Sequence, residues 1–149
     1  MKQEEKDLLL KDLCARLPYR VKAYIKNWSK LESRWIEGIY TITSVDPPLN
    51  NIYASAENGC VGVILGHSDY SIEPYLFPLS SMTEEQKEIY CQLQERVIYN
   101  SKGPVTEDVM NFVNWCYENH LDINDLISKG LAINATKLGI YENKIIKKG

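Results

Sequence analysis

Leu9, Leu10, Leu13, Cys14 and Leu17 recur at spacings of three and four, the pattern that gathers apolar side chains on one stripe of a helix. The spacing predicts a helix over residues 4–17, ended by Pro18, because a proline disfavours helical backbone in the residue before it. The period then changes. Val21, Ala23 and Ile25 alternate with Lys22, Tyr24 and Lys26, which predicts a strand with one buried and one wet face. A polar connection over residues 27–33 leads to WIEGIYTITSV, residues 35–45, whose isoleucines, threonines and tyrosine favour a longer strand.

The runs NIYASAE and CVGVIL flank Asn58-Gly59, and this dipeptide supplies the positive φ angles of a two-residue hairpin turn. CVGVIL is apolar at nearly every position, as expected for a central strand covered on both faces. SIEPYLF is a candidate fifth strand, confined to an edge or to strand ends by Pro74 and Pro78, which cannot donate to a ladder. Thr83-Glu84-Glu85-Gln86 is a capping box and opens a helix to about residue 98 with Ile89, Leu93 and Val97 inward. Residues 101–104 break it. A second helix over 105–119 carries Val109, Phe112, Val113 and Cys116 on one stripe, and a third, short one is expected after Asp122, with Asp125 in its first turn, Ile123, Leu126 and Ile127 facing the core, and Gly130 at its stop.

The order is thus one helix, four or five short antiparallel strands over about 19–79, three helices over about 83–133 and a tail over 134–149. This is an α+β domain, and the strands suit a small curled sheet of SH3-like or Sm-like form with helices closing an open side. At 149 residues and 17.2 kDa, residues 1–149 are expected to share one core. The longest stretch without a charged residue, 58–68, is half the length a membrane-spanning helix needs, and the N-terminus is too acidic for a secretory leader. A cytoplasmic protein with no membrane role follows as the expectation, and Cys14, Cys60, Cys91 and Cys116, with no CxxC pair, are expected to be reduced thiols.

A net charge of −3 argues against a surface built wholly for nucleic acid, yet the charge is unevenly spread. Residues 16–34 hold Arg16, Arg20, Lys22, Lys26, Lys30 and Arg34 against Glu32 alone, interleaved with Tyr19, Tyr24 and Trp28 and followed by Trp35. Aromatic faces beside cations are what single-stranded nucleic acid binders use, although Lys22, Tyr24 and Lys26 also read as the wet face of a strand. The later helices are acidic and could complement this stretch.

Reactive constellations are sparse. Cys116 and His120 are spaced like paired helical metal ligands, but zinc needs three or four and Cys116 shares a stripe with Phe112, so a buried structural thiol is the expected role. Cys60 or Cys91 would need His67 or His120 across the fold to act as a nucleophile. His67, Ser68, Asp69 and Ser71 share a turn, where such side chains commonly satisfy local backbone groups. The chain has no glycine-rich phosphate loop, GxSxG or HExxH motif. No catalytic residue, cofactor or metal is expected. The expected function is a non-enzymatic interaction module that binds another protein or itself, with nucleic-acid binding as the alternative. The expected binding residues are Arg16, Tyr19, Tyr24 and Arg34 with Tyr75 and Phe77 of the PYLFPL edge.

Three segments, LKDLCARLPYRVK at 10–22, EPYLFPLSSMTEEQ at 73–86 and LISKGLAI at 126–133, resemble a family of short uncharacterised proteins of gut bacteria of the Bacteroides type and of their phages and mobile elements. Those proteins usually carry glycine at the position of Arg20, lysine at that of Glu73 and arginine at that of Phe77. The resemblance implies a bacterial or phage accessory protein and carries no activity or catalytic residue.

Overall fold

The leucine stripe near the N-terminus forms its helix. In the computed structural model, which describes residues 1–57, 59–98 and 106–141, α1 runs Gln3–Arg16 and buries Leu9, Leu10 and Leu13. Asp12 and Arg16, on the same helix, are buried as well. A 3-10 turn over Leu17–Tyr19 follows and closes on Arg20 at φ 55, the left-handed region that glycine enters without steric cost and a residue with a Cβ enters only at some.

Strand β1 spans Lys22–Ser29 and β2 spans Arg34–Asp46. The connection is therefore shorter than the polarity of residues 27–33 predicts. Asn27 pairs with Ile36 and Trp28 with Trp35, and the two indoles meet edge to face at 5.6 Å, a cross-strand contact that outweighs weak local strand propensity. A register shift between Ile42 and Ser44 marks a bulge, which bends the long β2 so that it pairs with β1 and then with β3.

Strands β3 (Asn51–Ala56) and β4 (Gly59–Ile64) form the expected hairpin. Ala56 pairs with Gly59, so the connecting residues are Glu57 and Asn58 rather than Asn58-Gly59. Asn58 lies outside the described residues, and Gly59, at φ 143, is already in the strand. β4 is not central. With β5 over Tyr70–Leu76 and β6 over Ile133–Asn134, the sheet order is β4-β3-β2-β1-β5-β6, which makes β4 outermost: Val63 is buried, but Cys60, Gly62 and Ile64 are exposed.

Strand β5 (Tyr70–Leu76) pairs antiparallel with β1, and its other side is closed at Tyr75 and Leu76 by the two-residue parallel strand β6 (Ile133–Asn134), in a segment expected to lie at the boundary of helix and tail. The prolines do not leave it an edge there, because Leu76 and Phe77 supply the ladder groups: the Ala135 amide donates to Leu76 O and the Phe77 amide to His120 O.

Helix α2 (Glu84–Ile98) begins with the predicted capping box, Gln86 N donating to Thr83 Oγ1 at 3.1 Å and Thr83 N to Gln86 Oε1 at 3.0 Å. It packs on α3 (Thr106–Glu118) through Tyr90, whose ring lies 5.1 Å from Phe112. The predicted break at 101–104 lies outside the described residues. Ile89, Leu93 and Val97 are half-buried, and Val109 is exposed rather than inward. The third expected helix is a run of turns. Asp122 does not cap a helix there: its carboxylate accepts from the Leu126 and Ile127 amides, four and five residues on, and Asp125 is left-handed at φ 59, which stops helical propagation. Leu126 still reaches the core, beside Leu13, Ile25, Ile52, Val63 and Leu76. Helix α1 and this turn region therefore cover one face of the sheet.

Candidate interaction surface

Strict alternation along β1 sends Ala23 and Ile25 into that core and Lys22, Tyr24, Lys26 and Trp28 to the opposite, outer face. The register aligns them with Thr41, Ile39, Glu37 and Trp35 of β2. Four large apolar side chains of this face stay in contact with water: Trp35 is 43% exposed, Ile39 46%, Tyr53 45% and Ile64 42%. Acids stand on the same face as the cations beside them. Lys26 Nζ lies 5.5 Å over the Trp35 ring, Glu37 sits opposite Lys26 and Glu73 opposite Tyr24. Tyr24 donates its phenol to Glu37 Oε2 at 2.6 Å, and that bond, reinforced by the neighbouring charge, pushes the phenol pKa up to about 12.

Of the six residues expected to bind, Tyr24 lies on this face and Arg34 stands exposed at its end, its guanidinium held by Glu32 Oε1 at 3.0 Å. The others do not join a common surface. Arg16 is fully buried: it closes the last turn of α1, one turn after Asp12, and points inward to that carboxylate. Tyr75 is buried, and Tyr19 and Phe77 are half-buried, the Phe77 ring 5.8 Å from Tyr141. The basic run of the sequence is thus dispersed: Arg16 and Arg34 pair with Asp12 and Glu32, while Lys22 Nζ donates to Ile140 O and Lys26 lies over Trp35, a separation that a linear charge count cannot see. Ile39, Tyr53 and Ile64 complete the face instead. Their signal was the outward half of the strand alternation, which reads as exposed only when it is known which face the helices cover.

Where the sheet meets α3, Tyr141 returns to it. Its hydroxyl accepts from the Lys22 amide at 2.9 Å and donates to Tyr75 O at 2.8 Å, and its ring stacks on His120 at 3.7 Å. Burial holds the Tyr141 phenol well above its usual pKa. His120 is pressed down to about 4, by burial first and then by the charges of Arg16 and Lys22. A cavity of about 400 Å³ opens beside this stack, lined by Phe77, Thr83, Gln86, Asn119, His120 and Tyr141. Several of its polar groups bond to one another, among them Thr83 with Gln86 and Gln86 with Asn119.

Cys116 and His120 do not share a helical face, because α3 ends at Glu118 and His120 is left-handed at φ 57. The buried Cys116 thiol is raised to about 11 by desolvation, far from the thiolate that nucleophilic or metal chemistry uses. Cys60 and Cys91 are exposed. In the 67–71 turn, the Asp69 amide donates to His67 Nδ1 at 3.1 Å, the local bonding that turn side chains commonly supply. Comparison of the chain with protein-family models, curated proteins and solved structures finds no match. Among the described residues no helix is long and apolar enough to cross a membrane.

Proposed function

We propose that the protein is a non-enzymatic accessory protein that binds another protein through the outer face of its sheet, in the bacterial or phage setting that its resemblance implies. The carrying observation is the set Trp35, Ile39, Tyr53 and Ile64, four large apolar side chains on one face and each more than 40% exposed. Exposed apolar side chains gathered on one face support an interaction site, here as two pairs, Trp35 with Ile39 along β2 and Tyr53 with Ile64 across β3 and β4, and aromatic residues are enriched in interfaces. The strand order β4-β3-β2-β1-β5, antiparallel throughout, supports reading the scaffold as a small SH3-like sheet with β6 added.

The balance of Lys22 and Lys26 by Glu37 and Glu73 favours an apolar protein partner over a polyanion. The test is affinity capture of a partner by the wild-type chain, repeated with Trp35→Ser/Ile39→Asp and with Leu138→Asp as a control at another exposed position. The face variant should keep its stability within about 1 kcal/mol, as exposed substitutions do, and lose the partner by about 30-fold or more, as loss of an interface hot spot does. Leu138→Asp should retain it. Equal capture by all three proteins overturns the reading.

The placement of Lys26 over Trp35 favours one second reading, stacking of single-stranded nucleic acid on the same face. That reading requires binding that weakens steeply with salt and disappears in Lys22→Glu/Lys26→Glu. The expected result is that neither is seen.

A further inference from the structure

The two sides of the sheet end differently. The β5 side is closed by β6 and by the bridge between Phe77 and Leu121, whereas among the described residues β4 is outermost on its side. Because Ala56 closes the hairpin opposite Gly59, antiparallel alternation turns the backbone groups of Gly59, Val61 and Val63 toward β3 and those of Cys60, Gly62 and Ile64 outward. Natural sheets blunt such an edge with charge, proline or a bulge. β4 has none of these: residues 58–68 contain no charged residue and no proline, and the pairing with β3 runs without a register shift.

We propose that β4 pairs antiparallel with β4 of a second copy about a twofold axis at Gly62, joining two sheets edge to edge. A twofold interface must be self-complementary, and this strand is. The outward positions are symmetric about Gly62, so Gly62 bonds its counterpart and the Ile64 amide of each copy bonds the Cys60 carbonyl of the other, the Ile64 carbonyl being held by the His67 amide at 3.1 Å. The strand ends agree with that arrangement: Glu57 lies in the turn before β4 and His67 in the turn after it, both exposed, so antiparallel pairing sets the Glu57 end of each strand beside the His67 end of the other. It also makes the apolar stretch of Tyr53 and Ile64 continuous across the two outer faces. The proposal shares Tyr53 and Ile64 with the partner-binding reading but does not use Trp35 and Ile39, so variants at those two positions separate the readings.

Light scattering across a concentration series tests it. The wild-type mass should rise from 17.2 kDa toward twice that value. Gly62→Pro removes an outward amide that β3 does not use, and Cys60→Lys places a charge on the edge. Each should weaken dimerisation at least tenfold while the circular dichroism spectrum stays unchanged, and Trp35→Ser/Ile39→Asp should leave the dimer intact. The register places the two Cys60 residues four positions apart along the paired strands, about 13 Å, so a bismaleimide of that span should join copies through Cys60 in a Cys91→Ser background. A mass of one chain at every concentration, or a dimer that survives both edge variants, overturns the proposal.

Discussion

Replacing Asp12 by alanine should cost about 3–5 kcal/mol of stability, the range for breaking a buried ion pair and stranding its partner. Arg16 Nε lies 2.5 Å from Asp12 Oδ1 and its Nη2 lies 3.2 Å from Oδ2 and 2.7 Å from Leu121 O, while Asn124 Nδ2 donates to Asp12 Oδ2 at 2.8 Å. The guanidinium also lies 4.8 Å over the Tyr117 ring. Both charged side chains are fully buried, so the guanidinium left behind has no water to replace the carboxylate. Arg16 Nη1 has no hydrogen-bond partner among the described residues, so the pair is bound imperfectly even when intact. The double variant Asp12→Leu/Arg16→Met, which removes both charges at similar volume, should therefore recover most of the loss. Urea denaturation of the three proteins decides it. A loss below about 1 kcal/mol in Asp12→Ala would show that the network does not tie α1 to the 117–124 segment.

The second large effect is a loss of stability in acid. With its folded pKa at about 4 and an ordinary value of about 6.5, His120 is neutral in both folded and unfolded states above pH 6.5. Below that the unfolded chain takes up a proton that the folded chain refuses until about pH 4, so stability falls across this window and levels beneath it. At about 1.4 kcal/mol per unit, the contribution approaches about 3 kcal/mol. The cause is structural: the ring is pressed against Tyr141, its Nδ1 is buried without a hydrogen-bond partner among the described residues, and Arg16 and Lys22 add positive charge nearby. Asparagine tolerates the left-handed backbone of this position, so His120→Asn keeps the turn and removes the titration. Denaturation midpoints at pH 7 and pH 4.5 should drop much less in the variant than in the wild type. Equal drops would assign the acid sensitivity to the carboxylates alone.

Much of the fold was legible because its signals are local. The leucine stripe of α1, the alternation in β1, the Thr83 to Gln86 capping box and the α+β class each depend on residues a few positions apart, whose chemistry acts through a turn of helix or a step of strand. Predictions failed where the deciding partner was remote. The third expected helix gives way to turns, where Asn124 bonds Asp12 from 112 residues away and Asp125 turns left-handed. CVGVIL has a central strand's composition but lies at the edge, because its neighbours were chosen by the sheet and not by its own residues.

The binding surface shows the same division. That Tyr24, Lys26, Trp28 and Trp35 occupy one side of a pleated layer follows from their spacing alone. That Arg16 leaves them for the core, that Glu37 and Glu73 share the face with the lysines, and that Tyr141 docks on His120 depend on contacts across the chain: Arg16 meets Leu121 from 105 residues away, and Lys22 meets Tyr141 from 119. The amino-acid order thus determined which elements form and which side chains share a face, since short-range sterics and periodicity suffice for both. Only the tertiary structure decided which face stays wet, which charges are paired and which edge is open, because those are set by what packing brings alongside.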